Sequence, residues 1–107
     1  MADKKEIDFI YTTLDKIFRL SIGEKADFSA AMYNGDFSMS LIAAQKAKHK
    51  FIADQLNIGK GSKVIELGSG WAPFLNYLKT ERQAKGIGLT LSDGQYKACK
   101  KMDLMYI

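Results

Sequence analysis

Hydrophobic and polar residues follow one another along this chain with two different periods. Between residues 7 and 20 the apolar positions recur at helical spacing, which predicts an amphipathic helix with one apolar face. These positions are Ile7, Ile10, Leu14, Ile17 and Phe18. A second helix is predicted to begin after Ser38 or Ser40, either of which can cap it, and to end near Leu56. Its apolar stripe is expected to comprise Leu41, Ile42, Phe51, Ile52 and Leu56.

The segment between these two helices, residues 21–38, is irregular and yet rich in apolar side chains. The pair Asn34-Gly35 and several small polar residues are typical of turns and loops. The same segment holds Phe28 and Phe37, which are large apolar residues for a solvent-exposed loop. We therefore expect it to fold over either the core or a bound ligand.

In the second half of the chain, short apolar runs alternate with helical patterns. The runs at 63–67 (KVIEL) and 84–91 (AKGIGLTL) predict parallel strands, the first of them buried. A helix follows each run, and the first begins at Pro73, which has no N–H to leave unsatisfied there. Residues 104–107 can begin another strand. The predicted fold class is α/β, with an incomplete Rossmann-like parallel sheet of two or three strands preceded by an N-terminal helical segment.

This pattern divides the chain into two parts. Residues 1–56 are expected to form the N-terminal helices and a covering loop, and residues 57–107 the first βαβα part of a truncated Rossmann-like domain. Truncation is expected because two strands and one crossover are too few for a parallel sheet buried on both faces. If such a piece is stable, its open sheet edge is expected to pair with another chain, giving a homo-oligomer.

Composition limits the classes of partner. The chain has 107 residues, enough for one small domain, and a net charge of +4 from lysines spread along its length. A nucleic-acid-binding surface would need a dense basic stripe interleaved with aromatics, so no nucleic acid is predicted. Lys46, Lys48 and Lys50 alternate, which turns them to different faces of a helix and predicts a solvated flank. Attraction to an anionic membrane remains open.

The remaining reactive residues predict little chemistry of their own. Cys99 is the one cysteine, which excludes an internal disulfide, and it is expected to be a small buried apolar residue. His49 is the one histidine, and its lysine-rich helix favours a surface or satisfied role, so no metal site is predicted. The chain shows neither a membrane-spanning apolar run nor an apolar secretory signal at its start, so a cytoplasmic location is expected.

The glycine turn after the first strand is the strongest candidate for a site. Gly68-Ser69-Gly70 joins a strand to a helix, where glycines permit a tight turn and close approach of a ligand. A dinucleotide fingerprint needs a third glycine where Pro73 stands, and no Walker phosphate loop occurs. An acidic residue two before the first glycine, here Glu66, suits S-adenosylmethionine, whose ammonium it can hold directly or through water. An ordinary βα turn remains the alternative.

Three motifs in a fixed order sharpen this interpretation. They are Phe28-Ser29-Ala30-Ala31, Ala44-Gln45-x-x-Lys48, and the run G-S-G-W at 68–71 followed by T-L-S-D-G-Q at 90–95. Over residues 26–98 the chain resembles the cyclopropane-fatty-acyl-phospholipid synthase family, which includes mycolic acid cyclopropane synthases and methyltransferases. The resemblance implies an S-adenosylmethionine-dependent methyltransferase that transfers the cofactor's methyl carbon to a lipid or small-molecule acceptor.

The resemblance also implies which residues bind the cofactor. Ser29 would contact its carboxylate, and Thr90 and Gln95 its nucleoside end. The full expected set is Phe28, Ser29, Glu66, Gly68, Ser69, Gly70, Thr90, Leu91 and Gln95. Family members have tyrosine at the position of Phe28, and many have cysteine at that of Ala30, so these departures favour plain methyl transfer over cyclopropanation. Catalytic residues are expected beyond residue 107, so none is assigned and the chain is expected to be inactive alone.

Two alternative functions, from other classes of protein, are considered together with the methyltransferase hypothesis. A non-catalytic binding or assembly module would keep the glycine turn for folding and would form an oligomer without cofactor affinity. A piece of a dinucleotide-binding oxidoreductase would bind NAD, which Pro73 and Gly88 argue against because they stand where a glycine and an acidic residue are needed. For the methyltransferase, the basic surface and amphipathic first helix would suit contact with an anionic membrane.

Overall fold

The computed structural model describes residues 3–22, 27–101 and 104–106. In chain order the elements are α1 (Lys4–Ile22), α2 (Leu41–Gln55), β1 (Lys63–Leu67), α3 (Pro73–Arg82), β2 (Lys85–Leu89), α4 (Asp93–Lys101) and β3 (Met105–Tyr106). The strands form one parallel sheet in the order β1-β2-β3. The predicted α/β class and its parallel sheet are confirmed, and Pro73 does open α3. Part of the predicted loop, residues 23–26, and the last residue of the predicted third strand, residue 107, lie outside the described residues.

Helix α1 begins with a reciprocal cap. The Glu6 amide donates to Asp3 Oδ1 at 2.9 Å, and the Asp3 amide donates to Glu6 Oε2 at 3.1 Å. Only part of the predicted apolar face of α1 packs against the rest of the chain, because Ile10 and Ile17 are exposed. Polar contacts orient the helix instead, as when Asp8 Oδ1 accepts a hydrogen bond of 2.6 Å from the amide at the start of α4. In the described ranges, no helix is both long and apolar enough for a membrane span.

Helix α2 is capped by the second of the two candidate serines, since Ser40 Oγ accepts from the Ala43 amide at 3.2 Å. The apolar stripe predicted for this helix is wrong, because most of its members, including Leu41, Ile42 and Phe51, are exposed. The residues that α2 buries are Ala44, Gln45, His49 and Ala53. These lie on the other side because the preceding loop and α3 pack there.

The core lies between the helices and one face of the sheet. Its buried members are Ala53, Ile58, Ala72, Phe74, Leu75, Tyr77, Leu78, Ala84, Cys99 and Leu104. Helix α3 approaches β2 so closely that a Cβ on Gly86 would lie 2.5 Å from Leu75 Cδ2. The prediction that Cys99 is buried is confirmed.

Strand β1 is parallel as predicted, but the prediction that it is buried is wrong. Its residues alternate between the two faces, and Val64 packs against the core. Ile65 and Leu67 point the other way and are 67% and 78% exposed. None of the described helices covers that face of β1.

Candidate functional site

The turn after β1 has a left-handed backbone at three positions, a conformation that glycine adopts without strain. Gly68 and Gly70 have φ values of +66° and +59°, and Ala72 has +59°. A Cβ built on either glycine would meet no atom within 4 Å. The backbone conformation therefore favours glycine at positions 68 and 70, and the space above the turn is open to a ligand. The Cys99 thiol, on α4, donates to the Gly70 carbonyl at 3.7 Å and ties the turn to that helix.

Ser69 holds the turn against the end of the neighbouring strand. Its hydroxyl donates to the Glu66 carbonyl at 2.7 Å and accepts from the Leu89 amide at 3.1 Å. Its own amide donates to the Leu89 carbonyl, also at 3.1 Å. The carboxyl ends of β1 and β2 are thereby joined through one buried side chain, so the two loops that follow them form a common edge.

The loop after β2 brings Thr90 and Gln95 into contact. The Thr90 hydroxyl donates to Gln95 Oε1 at 2.6 Å, and it accepts from the Ser92 amide at 3.1 Å. Ser92 Oγ accepts from the Gln95 amide at 3.2 Å, as an N-cap of α4 does. The hydroxyl and amide predicted at the nucleoside end therefore lie on one fixed turn, with Gln95 buried.

The other end of the site is a buried polar cluster that joins the loop before α2 to that helix. Asp27 Oδ2 accepts from His49 Nε2 at 2.9 Å and from Lys48 Nζ at 3.4 Å. Asp27 Oδ1 accepts from both the amide and the hydroxyl of Ser29. The backbone carbonyl of Asp27 accepts from Gln45 Nε2 at 2.9 Å. Gln45, Lys48 and His49 lie on one helix face because they are three and four residues apart.

The two acidic residues at this end have opposite electrostatic behaviour. Burial alone would raise the pKa of Asp27, but hydrogen bonds from His49 and Ser29, with the charge of Lys48, lower it to about 2. Burial raises the pKa of Glu66 to about 7; the negative charge of Asp27 adds to the rise and Lys48 opposes it. Glu66 Oε2 is buried without a hydrogen-bond partner. Asp27 is therefore a fixed anion, whereas Glu66 titrates near neutral pH and has an oxygen ready for a donor.

Aromatic residues border the site on the side of α1. Phe28, which is exposed, stacks on Phe18 with ring centroids 4.5 Å apart. Trp71 packs edge-on against Phe18 at 5.5 Å and against Tyr11 at 6.3 Å. Its indole N–H donates to Asp15 Oδ1, so α1 is attached directly to the glycine turn. Trp71 is buried and fills space at the turn, as a packing residue does.

These features surround one open cavity of about 720 Å³, within the usual size for small-molecule sites. All nine residues predicted to bind a cofactor line it, although they come from four separate segments of the chain. They are Phe28, Ser29, Glu66, Gly68, Ser69, Gly70, Thr90, Leu91 and Gln95. Their assembly around one cavity is a structural fact, and their roles toward a cofactor stay predictions.

Sequence reasoning did not assign to the site the three charged or polar residues at the Asp27 end of the cavity, namely Asp27, Lys48 and His49. The solvated flank predicted for the alternating lysines holds for Lys46 and Lys50 but is wrong for Lys48, whose side chain is 19% exposed. His49 is not on the surface, and of its two ring nitrogens Nε2 bonds to Asp27 while Nδ1 is buried without a hydrogen-bond partner, so the expected satisfied role is met only in part. Lys48 and His49 could have been found from their spacing, because they follow Gln45 by three and four residues and so share its helix face. The sequence does not show which side of α2 is covered.

The cavity suits a ligand with two different ends. At one end are a carboxylate, a titratable carboxyl, an ammonium and a hydroxyl; at the other are a hydroxyl and an amide, with a glycine turn between them. An amino acid joined to a nucleoside has this distribution of groups, and the unpartnered oxygen of Glu66 fits a ligand N–H. Among the described residues, no group of three or more potential metal ligands is assembled.

Comparison with known proteins gives consistent matches. A model of the family described as mycolic acid cyclopropane synthetase matches residues 1–104. Cyclopropane mycolic acid synthase 2 of Mycobacterium bovis is 33% identical over 92 residues, which are 86% of this chain and 30% of that protein. The S-adenosylmethionine-dependent methyltransferase UmaA of Mycobacterium tuberculosis is 28% identical over 96 residues, which are 90% of this chain and 33% of that protein.

A solved structure agrees with the sequence matches. The mycolic acid cyclopropane synthase CmaA1, complexed with SAH and CTAB, superposes with a TM-score of 0.83 and 25% identity. The superposition covers 94% of this chain and 35% of that one. The chain thus spans about a third of the length of the proteins it matches.

Proposed function

The chain belongs to the mycolic acid cyclopropane synthetase family, and from this membership we propose that it forms the cofactor-binding part of an S-adenosylmethionine-dependent methyltransferase. The observation that carries the proposal is the assembly of four chain segments around one cavity at the glycine turn. Many activities share this fold, so the groups that line the cavity, and not the fold, support the proposal.

We assign the two ends of the ligand from the chemistry of the lining. The turn at Gly68 and Gly70 lets the amino-acid end approach the backbone, and Glu66 offers a carboxyl oxygen to its ammonium. The Ser29 hydroxyl contacts its carboxylate by turning away from Asp27 Oδ1. Thr90, Leu91 and Gln95 surround the nucleoside end. Phe28, stacked on α1, lines the cavity wall.

Bound S-adenosylmethionine supplies a methyl carbon already activated by its sulfonium. The chain's own residues therefore need only to position the donor and exclude water from it. Phe18, Phe28 and Trp71 form an apolar border suited to that task. We assign no acid–base catalyst among the described residues.

The acceptor is proposed to be a lipid acyl chain, which the name of the Mycobacterium bovis relative supports. A small-molecule acceptor remains the alternative. Ala30 stands where cyclopropanating members often have cysteine, and this supports plain methylation as the outcome. Incubation of the chain with methyl-labelled cofactor and unsaturated phospholipid, followed by mass analysis, distinguishes three outcomes: a methyl branch, a cyclopropane ring, and the absence of product that the expected inactivity of the chain alone predicts.

Calorimetric titration of the chain with S-adenosylhomocysteine tests the donor site, with NAD as a matched nucleotide control. Saturable binding of S-adenosylhomocysteine and none of NAD is the expected result. Gln95→Ala is expected to weaken binding about tenfold, since it removes a buried hydrogen-bonding group from the nucleoside end. Binding of NAD with equal affinity would contradict the proposal.

A second candidate function, assembly without catalysis, is favoured by the free face of β1. Ile65 and Leu67 are exposed there, and among the described strands β1 pairs only with β2. This hypothesis gives a homo-oligomer with no affinity for S-adenosylhomocysteine. Light scattering of the eluted chain, with and without S-adenosylhomocysteine, tests it: a monomer that binds S-adenosylhomocysteine would refute it.

We further propose peripheral contact between α1 and an anionic membrane. Its outward side carries Phe9, Ile10, Ile17 and Leu20, all exposed, and the exposed Lys16 lies beside them. In a flotation assay, the chain is expected to rise with phosphatidylglycerol vesicles. The double substitution Phe9→Ser and Leu20→Ser is expected to abolish this binding to the vesicles. Ile42→Ser, at an exposed apolar residue on α2, serves as control. Equal losses for both variants would refute a role for α1.

A further inference from the structure

The polar end of the cavity contains a cation to which the proposed function gives no task. We propose that Lys48 pairs with the carboxylate of the bound cofactor's amino-acid end, and that the Asp27–His49 pair holds it in position. The inference rests on the proposed function, since it needs a cofactor in this cavity. It assigns to Lys48 a binding role that follows from its surroundings in the structure.

The three alternating lysines of α2 have different environments. Lys46 Nζ donates to Glu81 at 3.1 Å and Lys50 Nζ donates to Asp54 at 2.7 Å, and both side chains are exposed. Lys48 turns inward and donates to the Ser29 hydroxyl at the wall of the cavity. Within the described parts of the chain, it is the only lysine or arginine that lines the cavity.

Lys48 has the capacity to bind a ligand beside its partner Asp27. His49 Nε2 lies 2.9 Å from Asp27 Oδ2, whereas Lys48 Nζ lies 3.4 Å from the same oxygen. The shorter contact satisfies the carboxylate, and the longer one orients the ammonium without enclosing it. An ammonium has three donors, and the described contacts of Lys48 use two of them.

The residues that hold Lys48 are themselves fixed by packing and hydrogen bonds. His49 is buried, with its ring 5.5 Å from that of Phe74 and 5.7 Å from that of Tyr77. The Gln45 side-chain amide, on the preceding turn of α2, donates a hydrogen bond to the Asp27 backbone carbonyl. Because Asp27 also accepts the Ser29 amide, one residue fixes the loop, the hydroxyl and the ammonium relative to one another.

The charges at this end match those of an α-amino acid. A ligand of that kind presents one ammonium and one carboxylate. The unpartnered Glu66 Oε2 accepts from the ammonium, and Lys48 donates to the carboxylate. Without Lys48, the carboxylate would approach the Asp27 and Glu66 carboxyl groups with no positive charge beside them.

The test compares two ligands that differ only in this carboxylate: S-adenosylmethionine and its decarboxylated form. Both are titrated calorimetrically into the 107-residue chain and into Lys48→Met, Lys48→Arg and Lys46→Met. Lys48→Met is expected to weaken S-adenosylmethionine binding about tenfold to a hundredfold, the range for a lost charge-assisted hydrogen bond. The decarboxylated ligand is expected to bind the wild type and Lys48→Met alike. Lys48→Arg is expected to restore most of the affinity, and Lys46→Met to leave both ligands unaffected.

Each other outcome overturns a defined part of the account. If Lys48→Met weakens both ligands equally, Lys48 has a structural role and no carboxylate contact. If it weakens neither, Lys48 is only a counter-ion of Asp27. If the wild-type chain binds neither ligand, the proposed function itself is refuted, and this inference with it.

Discussion

Glu66 gives the proposed donor site a pH dependence that is open to direct measurement. Burial raises the pKa of its carboxyl from the ordinary 4.5 to about 7, with a contribution from the charge of Asp27. A ligand ammonium against Glu66 Oε2 stabilises the ionised form, so binding lowers this pKa again. Cofactor affinity is therefore expected to rise with pH through neutrality. The other ionisable groups that line the cavity are Tyr11, Asp27, Lys48 and His49.

The size of the effect follows from these two pKa values. If the complex restores the ordinary pKa, the association constant increases about tenfold between roughly pH 6 and roughly pH 8. Glu66 is not fully buried, so solvent screening lowers the expected change to about threefold to tenfold. The folding stability of the free chain depends on pH in the opposite direction. Because the pKa of Glu66 is raised in the folded state, the free energy of unfolding falls as pH rises from 4.5 toward about 7.

Calorimetric titration with S-adenosylhomocysteine at the two pH values measures this change. Glu66→Gln is expected to flatten the pH dependence, because the amide does not titrate. Glu81→Gln, which changes an exposed glutamate on α3, is expected to keep the wild-type slope. If Glu66→Gln retained the full slope, or if wild-type affinity fell with rising pH, Glu66 would not contact the ligand ammonium and the reasoning would be refuted.

Three further predictions follow from the backbone and the buried cluster. Gly68→Val is expected to abolish S-adenosylhomocysteine binding, whereas Gly35→Val, at a similar positive φ on a distant turn, leaves binding intact; equal loss in both would indicate general unfolding. Asp27→Asn is expected to lower the free energy of unfolding by about 1–3 kcal/mol at neutral pH. Because the pKa of Asp27 is lowered from 3.8 to about 2, this difference in urea melts shrinks as pH falls between those values. Gly86→Ala is expected to cost about 1–3 kcal/mol by overpacking against the buried Leu75, measured by thermal denaturation, and a neutral result would mean that Leu75 changes rotamer to admit the Cβ.

The regular elements were predictable because their signals are local. The run KVIEL coincides with β1, Pro73 opens α3, and Ser40 caps α2, each from residues adjacent in sequence. The parallel sheet followed from alternation of strand and helix. The family resemblance, drawn from three motifs in order, is confirmed by the match over residues 1–104.

What the sequence did not reveal depends on which faces are covered. The strand pattern of β1 predicts burial, but the core packs on Val64 and leaves Ile65 exposed. The buried Asp27–His49 bond joins residues 22 apart in sequence, and no periodicity signals such a pairing. Lys48 resembles its neighbours in sequence, and only the loop that folds onto α2 distinguishes it.

The most direct test of a donor site at the glycine turn is amide chemical-shift mapping of the chain during titration with S-adenosylhomocysteine. The account predicts saturable shifts at Gly68, Gly70 and Leu91, which line the cavity from two different loops. The amide of Gly35, on a distant turn, is expected to stay unchanged. Saturable shifts confined to the outward side of α1, or a folded chain whose spectrum does not change at all, would contradict it.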